Sequence, residues 1–233
     1  MPLSHITDWI FDLDNTLYRG DVAFWALMDK KITTYISRYL ALQPTKARIL
    51  QKQYFTEYGT SLSGLMAVHG MDPTNFLDYV HDVDLSILKP DPRLREGLLA
   101  LPGRKFIFTN GSRGHAKNVG EHLNVYDLFD GIFAIEDADY TPKPQKSPYE
   151  KFIKKYDIDP KFAFMAEDSA RNLEIPKAMG MVTLLVTSDE DWSHEPAATC
   201  PVSGRNIPPF VDIHTDDLPG CLLAFISNCP LAP

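Results

Sequence analysis

Asp12 and Asp14 stand one residue apart, between the apolar stretch Asp8-Trp9-Ile10-Phe11 and Asn15-Thr16-Leu17-Tyr18. Two carboxylates that near repel one another. A metal cation, or a proton held on one of them, is the natural way to keep both in place. The stretch ahead of them is long enough for a buried parallel strand and too short for a helix. Asn-Thr does not easily extend it. Period two puts the two acids on one side while the strand lasts. Ligands of open α/β sheets bind outside the carboxyl ends of the strands, so acids at this address read as a site.

Two further apolar runs end in chemistry. Phe106-Ile107-Phe108 leads into Thr109-Asn110-Gly111, a hydroxyl, an amide and free backbone N–H groups ahead of a helix N-terminus. That arrangement suits a phosphate oxygen. Phe162–Ala166 leads into Glu167-Asp168-Ser169. A capping box on Ser169 wants an acid or Gln three residues on, where Asn172 stands, so capping does not fully account for the acids.

The elements that position these residues alternate. A helix from Asp91 to Leu101, a strand over Lys105–Thr109 and a helix from about Gly114 to Leu123 follow one another. A strand over Gly131–Ile135, a helix from Pro148 to Tyr156 and a strand over Phe162–Ala166 come next. A helix from Ser169 to Met179 and a strand over Val182–Val186 complete the run. This is the pattern of a Rossmann-like parallel sheet with helices on both faces. An edge strand at Val211–Ile213 and a helix at Leu218–Ile226 follow a proline-rich loop, Ser188–Pro209.

Between Tyr18 and Asp84 the pattern is helical throughout. Trp25, Met28, Ile32, Tyr35, Ile36 and Tyr39 recur at helical spacing. Pro44 stops that helix, Thr45 caps a second one to about Tyr58, and Asp72 caps a short one to Asp82. Residues 19–88 therefore form a helical insertion, with 1–18 and 89–233 as the core domain.

The 233 residues suffice for such a core plus an insertion. A net charge of −8 excludes a nucleic-acid polymer or an anionic membrane as partner. Three cysteines (Cys200, Cys221, Cys229) without metal-ligand spacing, and no signal peptide, point to reduced thiols in a cytoplasm.

Strand, D-x-D and Asn-Thr-Leu resembles the first motif of the haloacid dehalogenase-like superfamily. Thr109 is similar to its second motif, Lys143-Pro144 to its third, with Lys146 a rival, and Glu167-Asp168 to its fourth. The insertion after the first motif is similar to the family's cap. Asp14-Asn15-Thr16-Leu17-Tyr18, Tyr58-Gly59-Thr60, Tyr79-Val80-His81-Asp82 and Phe108-Thr109-Asn110-Gly111 resemble the pyrimidine 5′-nucleotidase branch.

The resemblance implies a phosphoric monoester hydrolase. Asp12 would be the nucleophile and Asp14 the general acid and base, with Thr109, Asn110 and Lys143 on the phosphate. Mg²⁺ would bind Asp12, the Asp14 backbone carbonyl and Asp168, while the role of Glu167 stays open. The implied partner is a small phosphorylated metabolite such as a nucleoside monophosphate, bound by a monomer or homodimer. A sugar phosphomutase, a haloacid dehalogenase and a non-catalytic binding protein on the same fold are the other readings.

Overall fold

The computed structural model describes residues 3–19, 22–188 and 207–227. Its strands are β1 (Asp8–Phe11), β2 (Arg104–Phe108), β3 (Gly131–Phe133), β4 (Ala163–Glu167), β5 (Val182–Val186) and β6 (Ile213–Thr215). They pair in the order β3-β2-β1-β4-β5-β6, every ladder parallel. The expected Rossmann-like α/β sheet is present. The chain builds outward from β1 in one direction and then in the other. The strand order therefore reverses at β1, the place where such sheets open a crevice for ligands.

β1 is apolar because it is covered twice. Trp9 and Phe11 pack into one cluster with Leu98, Val119 and Leu222, and Ile10 packs into another with Phe106, Tyr149 and Phe152. A strand buried on both faces reads as a continuous hydrophobic run.

The helices of the insertion are α1 (Val22–Tyr39), α2 (Pro44–Tyr58), α3 (Ser61–His69) and α4 (Pro73–His81). They carry a core of their own, with Ile36, Tyr54, Leu65, Phe76 and Val80, which Ile135 joins from the strand-helix part. Gly64 is what lets α2 and α3 close. A Cβ there would stand 2.4 Å from the Tyr54 ring and its Cβ. The remaining helices are α5 (Pro92–Ala100), α6 (Arg113–His122), α7 (Lys146–Tyr156), α8 (Glu174–Met179) and α9 (Leu218–Ser227). Among the described residues no helix is long and apolar enough to cross a membrane.

The strand expected over Gly131–Ile135 ends at Phe133 and other ends shift by one or two residues, and three differences have a direct cause. Pro44 opens α2 at its first position instead of standing apart from it, and Gln43, not Thr45, is the N-cap. The first turn has no use for the N–H that proline lacks. The helix expected from Ser169 is a 3₁₀ turn over Ala170–Leu173, and α8 begins only at Glu174. Pro176 forbids a continuous α-helix, since its ring would meet the carbonyl four residues back. β6 sits two residues later than Val211–Ile213 because Asp212 is used to bond Thr183. Residues 189–206 of the expected tail loop, with Cys200, lie outside the described residues, as does Cys229.

Candidate active site

β1 delivers Asp12 and then stops. The Asp12 N–H still donates to Ala166 O at 2.9 Å, but the Leu13 carbonyl accepts from Leu17 N–H at 3.0 Å. Asn15 takes a φ of +60°, and the chain curls into a turn. The shared side expected from strand periodicity ends there, and the two acids go to different partners. Asp12 Oδ1 accepts from Lys143 Nζ at 2.8 Å and its Oδ2 from the Thr16 hydroxyl at 3.3 Å. Asp14 Oδ1 accepts from Tyr18 OH at 2.5 Å and lies 2.8 Å from His115 Nε2. Each carboxylate has its own donors, so the repulsion between them is answered without a shared group.

Lys143 is buried, and its ammonium also donates to Phe108 O and Glu167 Oε2, both at 2.7 Å. Burial would strip its proton, but the charges of Asp12 and Glu167 outweigh burial and hold it above the ordinary lysine range. Asn110 fastens the loop that carries it. The Asn110 amide accepts from Lys143 N–H at 2.8 Å and donates to Lys143 O at 3.2 Å. The side-chain amide expected on a phosphate thus also fastens the lysine loop, and keeps a second N–H beyond the one given to Lys143 O. Lys146 is elsewhere, exposed in the first turn of α7 and paired with Glu150 at 2.8 Å. Thr109 is buried at the end of β2, its hydroxyl oxygen accepting from Gly111 N–H at 2.9 Å.

Asp12, Glu167 and Asp168 each bring a carboxylate oxygen to within 4.8 Å of the others. Lys143 is the one cation the described hydrogen bonds bring to this group. Burial, and then the charge of Glu167, raise the Asp12 carboxyl from 3.8 to about 7. Burial, Glu167 and Asp12 push Asp168 well above its ordinary value. Buried hard oxygen donors short of positive charge fit a divalent cation such as Mg²⁺. Asn15 steadies Asp168, donating to its Oδ2 at 3.2 Å, and takes Trp25 Nε1 on its own oxygen at 2.5 Å. Trp25 belongs to α1, so the insertion touches this end of the site.

At Asp14 the balance is reversed. Burial works to raise its carboxyl, but the charge of His115 and hydrogen bonds from His115 and Tyr18 hold it below the usual range. Tyr18 is pushed well up by burial and by Asp14. The His81 ring of α4 stacks on His115 with centroids 4.4 Å apart, and its Nδ1 lies 2.9 Å from Ser112 Oγ. Burial, then the neighbouring His115, lower His81 to about 3.

Sequence reasoning passed over His115 and gave Tyr18, His81 and Asn15 no role beyond a motif. One signal was available for His115. Ser112 caps α6 at the end of a strand-turn that faces the site, so a histidine in the first turn stands within reach of it. Outside the acid cluster, an open cleft of about 690 Å³ separates Tyr58, Gly59 and Met66 of the insertion from Pro142, Pro144 and Arg171.

A crevice at the reversal point of a parallel sheet, holding a strand-end aspartate, a buried lysine and a second acid pair, defines a Rossmann-like α/β protein with a carboxylate-centred site. The chain belongs to the haloacid dehalogenase-like hydrolase family, whose sequence pattern matches residues 10–180. It is 30% identical over 214 residues to Phosphate metabolism protein 8 of Saccharomyces cerevisiae, covering 80% of this chain and 63% of that protein. The chain thus spans less than two thirds of that relative's length. Among solved structures it resembles a HAD phosphatase from Thermococcus onnurineus, with a TM-score of 0.60 and 17% identity over 90% of this chain and 93% of the other. It also resembles the hydrolase YfnB of Bacillus subtilis bound to magnesium, with a TM-score of 0.59 and 14% identity over 96% and 99%. The L-2-haloacid dehalogenase of Xanthobacter autotrophicus with covalently bound chloropropionic acid gives 0.57 and 15% over 96% and 100%. At these identities the three structures speak for the fold alone.

Proposed function

We propose that this hydrolase is a cytoplasmic Mg²⁺-dependent phosphatase. It removes phosphate from a small monoester, a pyrimidine nucleoside 5′-monophosphate being the favoured class, and works as a monomer or homodimer. The observation that carries the reading is Asp14. Displacing a halide calls for no proton donor, whereas the alkoxide leaving a phosphate ester does. A second acid beside the nucleophile, held in place by donors at 2.5 and 2.8 Å, is positioned to relay a proton to that oxygen. The relative named for phosphate metabolism points the same way.

Asp12 attacks phosphorus as the ester P–O bond breaks, and an aspartyl phosphate forms, splitting one hard step into two. Lys143 and Thr109 hold phosphate oxygens. Asp14 meets the substrate ionised. The proton it gives to the leaving oxygen arrives on the monoester, whose second ionisation lies near about 6. Asp14 then takes a proton from the water that attacks phosphorus, the bond to Asp12 breaks, and phosphate leaves. Asp12, Asp168 and the Asp14 backbone carbonyl would hold Mg²⁺, which would supply charge to offset the phosphate oxygens. Residues 19–88 act as a cap domain over the site, and the cleft beside Tyr58 receives the leaving group.

The test is a panel of nucleoside monophosphates, sugar phosphates and 2-chloropropionate, each with Mg²⁺ and with chelator. Metal-dependent phosphate release, fastest on CMP or UMP, is expected. Chloride release without phosphate release would replace this reading by dehalogenation.

A further inference from the structure

We propose that His115 is a positioning residue for Asp14, and that His81 places this positioning under the control of the helical insertion. The inference rests on the phosphatase reading, in which Asp14 is the proton donor.

The geometry separates the two oxygens of Asp14. Oδ1 is occupied twice, by Tyr18 OH at 2.5 Å and His115 Nε2 at 2.8 Å. Oδ2 has no protein donor among the described hydrogen bonds. It faces Gly111, where an added Cβ would stand 3.5 Å from it and 3.4 Å from His115 Cδ2. A carboxyl held by one oxygen on two donors can neither flip nor rotate freely, so Oδ2 is presented in one direction. Glycine at 111 keeps the approach to it open.

His115 has a single polar side-chain commitment. Its ring is buried, and Nδ1 meets no hydrogen-bond partner. With Nδ1 unpartnered and Nε2 at the carboxylate, Nε2 is the ring atom that donates to Asp14. A histidine that served only to fill the core would not need that contact. What fixes the ring is His81. It lies parallel to His115 at 4.4 Å with 16° between planes, and it bonds Ser112, the N-cap whose Oγ also accepts from His115 N–H at 3.1 Å. His81 is the last residue of α4 in the insertion. A movement of the insertion that withdraws His81 therefore frees the His115 ring and, through it, Asp14. The acid is set when the insertion is seated and loosened when it lifts.

The experiment compares kcat/KM for two phosphate esters in each variant. Glycerol 2-phosphate expels an alkoxide and needs a well-placed acid, whereas 4-nitrophenyl phosphate expels a phenolate that needs little help. Their ratio cancels the fraction of enzyme that is folded, so a fragile variant remains informative. In His115→Ala the alkyl-to-aryl ratio should fall at least about tenfold, part of the about 10²-fold or more that a well-placed general acid contributes. His115→Gln, which keeps a donor near the Nε2 position, should recover much of it. His81→Ala should lower the ratio in the same direction, by at least about threefold. An unchanged ratio in His115→Ala overturns the positioning role, and an unchanged ratio in His81→Ala overturns the link to the insertion. Wild-type enzyme that cleaves neither ester nor any nucleotide overturns the phosphatase reading itself, and this inference with it.

Discussion

Lys143 Nζ lies 2.7 Å from Glu167 Oε2 and 2.8 Å from Asp12 Oδ1, so a single buried cation spans two acids. Glu167 thereby has a contact that is separate from metal binding: it shares the lysine ammonium with the nucleophile. Removing it costs stability through the lost ion pair and costs activity through a more tightly neutralised Asp12. Lys143 keeps Asp12 as partner, so the stability loss in Glu167→Ala should be about 1–3 kcal/mol, under that of a fully broken buried pair. Urea unfolding of the metal-free variant measures it.

Asp168 has no such lysine and should matter more to the metal. Asp168→Ala is expected to raise the Mg²⁺ concentration needed for half activity at least about tenfold, and Glu167→Ala to raise it less. A metal titration in which Glu167→Ala is the more damaging change would make Glu167 the direct ligand.

Asp12→Asn should abolish turnover, by about 10³-fold or more, because the amide is no nucleophile. It should not harm folding. Asp12 is raised from 3.8 to about 7 by burial and by Glu167, so the metal-free fold strains to keep that charge. Thermal melts of metal-free Asp12→Asn at pH 7.5 should match or exceed wild type. A well-folded variant with near-normal turnover would remove Asp12 from the mechanism.

The same shifts tie metal binding to pH. Asp12 titrates near 7 in the metal-free fold and near about 3.9 in an unfolded chain, and Asp168 is displaced in the same direction. Between those values the folded state holds protons that the unfolded state has lost. Their contribution to stability is therefore present at low pH and is lost as pH rises toward 7. Mg²⁺ must displace those protons, so its binding releases them and tightens with pH. The rise in Tm on adding Mg²⁺ should be clearly larger at pH 7.5 than at pH 5.5, and calorimetry in two buffers should register proton release. Equal Tm gains at both pH values would mean these acids do not meet the ion.

What could be read from the sequence followed the range of the signal. β1, β2 and β4 declared themselves as apolar runs because both faces are covered, and each placed its polar end residues by adjacency alone. Asp12, Thr109 and Asp168 needed nothing more. The hidden relationships are those between distant segments. His115 reaches Asp14 across 101 positions, and no local pattern encodes that meeting. Glu167 meets Lys143 across 24. Asn110 gave only part of its role locally: a strand-end amide suits a phosphate, and its bonds to the lysine loop across 33 positions had no local signal. Pro44 was legible as a break yet ambiguous in sense, since a proline that ends one helix can equally begin the next, whereas Pro176 was passed over inside the helix expected from Ser169 to Met179.

Lys143 and Lys146 offer a plain contrast. Lys143→Met removes a buried charge from between two acids and should reduce kcat by about 10²-fold or more. Lys146→Ala breaks only an exposed pair with Glu150 and should leave kcat within about twofold. Comparable losses in both would show that charge near the loop matters and contact with Asp12 does not.

Substrate choice should depend on Tyr58 and not on its two neighbours. The chain places Tyr58-Gly59-Thr60 at the junction of α2 and α3, and the three residues have different work. Gly59 ends α2 at a φ of +85°, which a side chain would resist, and a Cβ there would touch Pro142 at 3.4 Å. Thr60 caps α3, its hydroxyl accepting from Ser63 N–H at 3.0 Å. Both maintain the junction, so Gly59→Ala and Thr60→Ala should lower stability by about 1 kcal/mol and weaken all substrates together. Tyr58 is half-buried and lines the cleft, where a flat ring can cover a nucleobase at small entropic cost. Tyr58→Ala should therefore reduce kcat/KM for CMP and UMP at least about fivefold more than for 4-nitrophenyl phosphate, the value of one aromatic contact. A paired kinetic series on CMP, UMP, AMP and that ester decides it. Parallel losses on all four would return Tyr58 to the packing of the insertion, beside Tyr54, whose ring it meets edge-on at 5.7 Å.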